Sequence, residues 1–416
     1  MSRSAAATAG IGIWLVCSGA FLMLGGGHIY VQDGGGMFFM SDSLLSHGWF
    51  DVPLNHNTMG GKYGPDGRYY TPFGILHPLL AVPFLMLGRC LEGLAGARYL
   101  PSLTATWFNA VATATLCTIF FLFLLRLRVP LRAALAGGLS LAFTTPFLVY
   151  ARTFFSEPLT ALAILASAYH LRLFRDCGRL YHLAAAGIWA AAALLTRPLA
   201  GMALPVLFLY LVLILARTTP TSRSQVRAVL LFATICVAAV GLLLVYNHAR
   251  YGDILQTGYD KLPDGRPRSF TLNPFYGLAV LLVSPGKSLF LFAPLALAAL
   301  WGLWRWRKDA AAHPELVLAA VMPALFIAVL CRWARVEGGV CWGPRLLLPA
   351  LPVLLLGLAP LLAAPTRRMV AFLLLLAAAG LFVQFTGAAI NFATYVATHS
   401  DEYFHPTTGV YRFRFN

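Results

Sequence analysis

The chain has 416 residues, of which 59% are hydrophobic and only 11% charged, with a mean hydropathy of +0.74. A soluble domain carries about 25% charged residues, so this composition excludes one and calls for a polytopic membrane protein. The net charge of +16 invites a nucleic-acid reading, but the basic residues sit in short clusters between apolar runs, the pattern of positive-inside topology rather than of a nucleic-acid stripe.

Ile11 to Gly27 reads as a first, uncleaved span: it lacks a clean small-residue cleavage site, and further spans follow. Arg3 before it favours an inside N-terminus. The next stretch, Gln32 to Gly74, is polar, rich in glycine and turn pairs, and carries Asp33, Asp42, Asp51 and Asp66. A long polar loop in so apolar a chain needs a reason, and it is expected to form the core of an active site on the outer face. Ile75 to Gly96 is apolar but contains Pro78, Pro83, Arg89 and Glu92. The run Leu103 to Leu125 ends in Arg126, Arg128 and Arg132. With that cluster inside, Ile75–Gly96 stays outside as a juxtamembrane or half-inserted helix.

Spans then alternate: Ala133–Tyr150, Leu159–Phe174, Leu183–Leu195, Leu199–Leu215 and Val229–Tyr246. A second polar loop follows from Asn247 to Asn273. Pro274–Val283 is too short to cross and breaks at Ser284-Pro285-Gly286, which predicts a re-entrant or interfacial piece. Ser288–Trp304, Leu316–Leu330, Leu346–Leu362 and Met369–Ile390 complete the set. The expected fold is an all-α bundle of about eleven transmembrane helices. It forms one integral domain over residues 1–390, with outer loops 31–102 and 247–287 and an outer tail 391–416, for which the sequence offers no role. Of the 15 acidic residues, only Asp176, Asp309 and Glu315 fall on the inner side. Acids do not set topology, so this bias independently puts the chemistry outside.

Several outer residues carry candidate chemistry. Asp33 is either a general base for an acceptor hydroxyl or the cap of a helix beginning at Gly34. Asp42, a few turns on, is structural or faces an acceptor. Glu157 is a site acid, or a first-turn acid stabilised by the helix dipole beside Pro158. Arg197 contacts a phosphate or snorkels to the interface. Lys287 follows Ser-Pro-Gly, a turn with free N–H groups that suits an anion, and Arg345 adds a further cation. Lys287, Arg345 and Arg197 are expected to converge on one phosphate at the membrane surface. His47, Asn55-His56-Asn57 and His77 lack metal-ligand spacing. No cofactor is called for, and a divalent metal stays open. Only Cys331 and Cys341 face an oxidising side together, and no disulfide is expected.

In order, the chain presents an Asp after the first span, Gly-Arg-Tyr-Tyr…Phe-Gly, Phe-Phe-Ser-Glu-Pro-Leu and Thr-Arg-Pro. It continues with Tyr-Asn-His-Ala-Arg-Tyr-Gly-Asp…Thr-Gly-Tyr, Ser-Pro-Gly-Lys-Ser-Leu-Phe and Gly-Gly-Val-Cys-Trp-Gly-Pro-Arg-Leu-Leu-Leu-Pro. From Asp33 to Pro352 this resembles bacterial GT-C glycosyltransferases, the branch near protein O-mannosyltransferases and lipid A aminoarabinose transferases. The resemblance implies a polyprenyl-phosphate-linked sugar donor and a lipid, glycan or protein acceptor. It implies transfer on the periplasmic face of the bacterial inner membrane, a catalytic acid at Asp33, a second at Glu157, and juxtamembrane helices in the first outer loop. Two departures stand out. Relatives often have Lys where Pro72 stands, so that phosphate contact is either absent or supplied by Lys62 or Arg68. They often have Trp or His where Glu337 stands, in an acceptor or sugar pocket that would include Asp42, Tyr69, Tyr70 and Trp342.

The expected reaction is an inverting transfer with Asp33 as base and no nucleic acid involved. A transporter or lipid flippase is the rival. It would need midplane charges and internal repeats, and the sequence displays neither. A non-catalytic relative that binds polyprenyl lipids is a third reading, though it gives no reason for the retained acids.

Overall fold

In this computed structural model the described residues are 3–27, 29, 31–55, 58, 60–217, 222–259, 269–307 and 313–390. The second loop's residues 260–268, the tail from 391, His56 and Asp309 lie outside them. Almost every element is a helix. Chain order runs α1 (Arg3–Met23), α2 (Gln32–His47), a hairpin of β1 (Lys62–Tyr63) and β2 (Tyr69–Tyr70), then α3 (Leu76–Ala95), α4 (Leu100–Arg126), α5 (Leu131–Phe143), α6 (Phe147–Tyr150) and α7 (Glu157–Cys177). It continues with α8 (Leu180–Thr196), a 3₁₀ segment Pro198–Met202, α9 (Ala203–Leu215), α10 (Ser222–Tyr251), α11 (Pro274–Leu282), α12 (Leu289–Phe292), α13 (Leu295–Trp306) and α14 (Pro314–Leu330). A 3₁₀ segment Arg345–Ala350 leads into α15 (Leu351–Leu355), α16 (Ala359–Ala363) and finally α17 (Arg367–Ala389).

Seven helical stretches are long and apolar enough to cross a membrane, and α5, α8 and α14 are shorter apolar helices. Two expected crossings fall outside that set for physical reasons. Helix α7 has Glu157 at one end and Arg172, Arg175 and Asp176 at the other. The Ser288–Trp304 run is divided at Ala293-Pro294 into α12 and α13, because proline removes a helix N–H and clashes with the preceding turn. Burial sorts the bundle. The stretch Arg345–Ala363 is 83% buried, whereas α10 and α17 are 17% buried and turn apolar faces outward, as lipid-facing helices do.

Helix α3 meets the length and composition criterion for a span and packs against the start of α4. His77 bonds Asn109 at 3.1 Å, and Gly88 packs against Leu100, Pro101 and Thr104. It therefore lies along the first turns of α4 and extends past them. Helix α11 stops before the Ser-Pro-Gly break, as expected. Helix α10 runs on to Tyr251 rather than ending at Tyr246. That extension carries Asn247 and Arg250 into buried positions, where sequence alone leaves them in a loop.

The bundle has two chemically distinct ends, joined by α7, whose 21 residues span about 30 Å. At the basic end, Glu315 is fully buried and accepts from Arg172 Nη1 (2.8 Å), Arg175 Nη1 (3.1 Å) and the Tyr210 hydroxyl (2.9 Å). Asp176 accepts from Arg172 Nε at 3.1 Å and lies 3.7 Å from Arg126. Helix α4 ends there in a Schellman turn: the Val129 N–H reaches the Leu124 carbonyl, and the Arg128 N–H reaches that of Leu125, both at 3.1 Å. Arg128 holds the left-handed position, with φ of 64°. Glycine is usual there, and a side chain costs roughly 1–2 kcal/mol.

Glu315 ties α14 to α7 and α9. Replacing Glu315 by Gln leaves two guanidiniums without their shared buried carboxylate, and it is expected to lower stability by about 3 kcal/mol. Thermal unfolding in detergent measures this. An unchanged melting temperature would mean that the carboxylate does not hold these helices together.

Candidate active site

The other end gathers four charged side chains from four places in the chain. Val31 is extended (φ −130°) and precedes α2, so Asp33 lies inside the first turn, not at a cap before Gly34 as one sequence reading has it. The helix dipole favours a carboxylate there. The glycines that follow let this turn sit close to its neighbours: a Cβ on Gly36 would lie 2.8 Å from the Phe73 ring. Glu157 is the first residue of α7, with Pro158 next, so it is a first-turn acid, and its carboxylate lies within the charged cluster. Asn109 fixes the segment before it, donating to the Thr153 and Phe155 carbonyls at 2.7 Å each.

Arg345 opens its 3₁₀ segment after a loop that turns through Gly338 and Gly339, both left-handed (φ 73° and 77°), a conformation only glycine adopts freely. Its guanidinium lies between the two acids. Nη2 is 2.6 Å from Asp33 Oδ2, and Nε donates to Glu157 Oε1 at 2.6 Å. Its carbon is 4.0 Å from the Phe155 ring centre. Arg197, where α8 ends, also donates to Glu157 Oε1, so it is an ion-pair partner rather than a snorkelling side chain. Exposure separates the two acids. The Glu157 side chain is 0% exposed and that of Asp33 is 37%, so Asp33 is the carboxylate that a solute reaches. Glu157 Oε2 is buried and has no hydrogen-bond partner among the described residues.

Lys287 is buried, and its ammonium donates to the carbonyls of Gly339 (3.2 Å) and Cys341 (2.6 Å) and to Cys341 Sγ (3.0 Å). These three acceptors match the three protons of an ammonium. The lysine thus pins the loop that delivers Arg345, and its donors do not point toward open space beside Arg197. Trp342 braces the same loop: its Nε1 donates to Gln384 Oε1 at 3.0 Å, and its carbonyl accepts from the Tyr150 hydroxyl at 2.9 Å. Glu337 lies 4.0 Å from Arg335.

The remaining expected residues lie apart from this quartet. Asp42 pairs with Arg89 of α3. Lys62, Tyr69 and Tyr70 are on the hairpin, with Lys62 paired in register with Tyr70. Arg68 is 3.8 Å from Asp51 and 3.9 Å from Asp66. Arg250 is a buried cation that sequence reading missed. It is 1% exposed, donates to the Thr71 carbonyl at 2.6 Å and to Asn247 Oδ1 at 2.9 Å, and lies 3.8 Å from the Tyr246 ring centre. It ties the first loop to α10. The motif Tyr-Asn-His-Ala-Arg-Tyr was the available signal. Among the described residues, no three His, Cys, Asp or Glu side chains gather as a metal site.

No family profile and no curated protein matches the sequence. Solved structures do match in three dimensions. ArnT from Cupriavidus metallidurans, bound to undecaprenyl phosphate, is 17% identical with a TM-score of 0.56 over 90% of this chain and 63% of that one. The archaeal oligosaccharyltransferase AglB from Archaeoglobus fulgidus, in complex with an inhibitory peptide and a dolichol-phosphate, is 13% identical with a TM-score of 0.53 over 92% and 56%. The fold of this chain is the one that ArnT and AglB share. The chain spans a little under two thirds of the ArnT chain it matches.

Within this fold, the first-loop hairpin is held by a second polar network. The Tyr70 hydroxyl donates to Asp66 Oδ2 at 2.6 Å and accepts from Trp49 Nε1 at 2.8 Å. Burial first, and the bond to Asp66 second, push the Tyr70 phenol up to about 12. Slight burial works upward on Asp66, but the Tyr70 hydroxyl and the Arg68 N–H outweigh it and hold the carboxyl below its ordinary value. The signs follow by linkage. Tyr70 contributes stability that is complete below the ordinary phenol value of about 10 and is lost as pH rises through about 12. The Asp66 contribution is present above the ordinary carboxyl range and is lost as pH falls through its depressed value. In an absorbance titration, Tyr70→Phe is expected to remove one phenol that ionises near 12. Removal of one that ionises near 10 would show that the Asp66 bond is not made.

Proposed function

We propose that this chain transfers a monosaccharide from a polyprenyl-phosphate carrier to an acceptor hydroxyl with inversion, at the extracytoplasmic face of a bacterial inner membrane. The observation that carries this reading is the reachable Asp33 carboxylate, 2.6 Å from the guanidinium of a buried Arg345, on a fold shared with ArnT and AglB. The charge pattern supports the orientation, because the arginine-rich end is the one that stays in the cytoplasm.

Asp33 takes the proton of the acceptor hydroxyl as its oxygen bonds to the anomeric carbon. The bond from that carbon to the phosphate oxygen breaks, and its electron pair leaves with the polyprenyl phosphate. The leaving group needs cationic donors rather than a proton, and Arg345 and Arg197 are the two within the cluster. Glu157 positions both guanidiniums, and Lys287 positions Arg345 through the loop it pins. Hydrogen-bonding and aromatic groups of the first loop, among them Tyr69, would face the acceptor.

The test is transfer from a mixed pool of radiolabelled polyprenyl-phosphate sugars by the full chain in membranes. Asp33→Asn is expected to lower kcat by about 10²–10⁴-fold while donor binding persists. Glu157→Gln is expected to raise KM for the donor more than it lowers kcat. Equal transfer by wild type and Asp33→Asn would remove Asp33 from the chemistry. Absence of transfer from any donor by the wild type would sink the enzymatic reading.

A further inference from the structure

The basic end of the bundle holds a cavity of about 280 Å³ lined by Arg126, Leu127, Arg128, Arg172, Arg175 and His313. Four of its six lining residues are arginines, and no carboxylate lines it. Two carboxylates hold the lining from outside. Glu315 grips Arg172 and Arg175 from the buried side, and Asp176 grips Arg172 and Arg126. Four guanidiniums against two carboxylates leave an excess of two positive charges around the cavity, counted among the described residues. The acids act as orienting partners: each fixes guanidiniums whose planar donor sets match phosphate oxygens.

Arg128 is the second, independent observation. Its left-handed φ of 64° makes it the one residue other than glycine with positive φ among those described. Glycine would close the same Schellman turn without strain. Instead a guanidinium stands at the cavity, and among the described residues it has no carboxylate partner. A conformational cost kept at a binding-competent position points to use of the side chain. The volume also limits the ligand: about 300 Å³ is the lower bound for small-molecule sites, enough for a phosphorylated headgroup and too little for a nucleotide. Basic pockets between membrane helices on the cytoplasmic side suit such headgroups.

We infer that this cavity is a phosphate-ester binding site at the end of the bundle opposite Asp33, filled by the headgroup of an anionic phospholipid or by a soluble phosphate ester. It is separate from the transfer site and stands whether or not the chain is a transferase.

The test is native mass spectrometry of the full chain from mixed micelles, with phosphatidylglycerol or phosphatidylcholine as probe. The wild type is expected to retain phosphatidylglycerol over phosphatidylcholine. Arg128→Gly is expected to lower that retention at least about fivefold without lowering the melting temperature, since glycine suits the turn. Arg367→Gln, a basic residue outside the cavity, is the control and is expected to leave retention unchanged. Displacement of the lipid by excess glycerol 3-phosphate would assign a soluble source, and resistance to it a lipid headgroup; either keeps the site. Retention that is equal for the two lipids, unchanged in Arg128→Gly, or lowered as much by Arg367→Gln would overturn it.

Discussion

The Arg345 guanidinium between Asp33 and Glu157 is the contact on which the loop end of the molecule depends. Charges removed from water cost several kcal/mol each, even after relaxation. Glu157, with no exposed surface, is tolerable only because two guanidiniums converge on its Oε1. Arg345, 5% exposed, is tolerable only because two carboxylates and the Phe155 face surround it. Each partner comes from a different element, so the cluster registers the first turn of α2, the start of α7, the end of α8 and the segment before α15 against one another. Lys287 adds a fifth element by fixing the loop through backbone carbonyls. Such a network is stable when complete and costly when broken, because loss of one member strands another charge in a low-dielectric surround.

Helix α7 links this cluster to the arginine-lined cavity. Its dipole favours the carboxylate at its start and the guanidiniums in its last turns, so both ends are charged in the sense the helix prefers. Its middle is uncharged and buried from Leu159 to Ala168, which keeps charge away from the interior of the bundle. That distribution differs from the midplane ionisable residues a transport pathway requires. Ionisable groups cluster at the two ends, as suits a protein that binds charged groups at two water interfaces.

Much of this was legible from sequence because it rests on one-dimensional signals. Arginine clusters between apolar runs mark the basic end, and a polar glycine-rich segment after the first apolar run marks the loop end. All four members of the charged quartet stand out as charges beside proline or glycine in apolar surroundings. Their contact is not legible, since Glu157 and Arg345 are 188 residues apart and nothing local encodes the pairing. Lys287 shows the same limit from the other side. A lysine after Ser-Pro-Gly reads as an anion site, yet its partners are backbone carbonyls brought together by folding. Arg250 was hidden because α10 extends past the point where its apolar run ends, and tertiary contacts to the Thr71 and Phe73 carbonyls hold that extension.

The quartet carries two negative and two positive charges, and this balance bears on the proposed transfer. A polyprenyl-phosphate sugar is a phosphodiester with one negative charge, and its leaving group gains a second. As that charge develops, Asp33 accepts a proton and loses its own. Total charge around Arg345 therefore stays constant while its location moves from the aspartate to the phosphate. A guanidinium bonded to Asp33 at the start can turn its freed donors toward the leaving oxygen without leaving its second anchor, Glu157. Glu157 is well suited to be that anchor, because burial keeps it away from acceptor and solvent, and Arg197 holds it in place. On this view the two acids are not interchangeable bases. The exposed one exchanges a proton, and the buried one keeps the cation still while it changes partners.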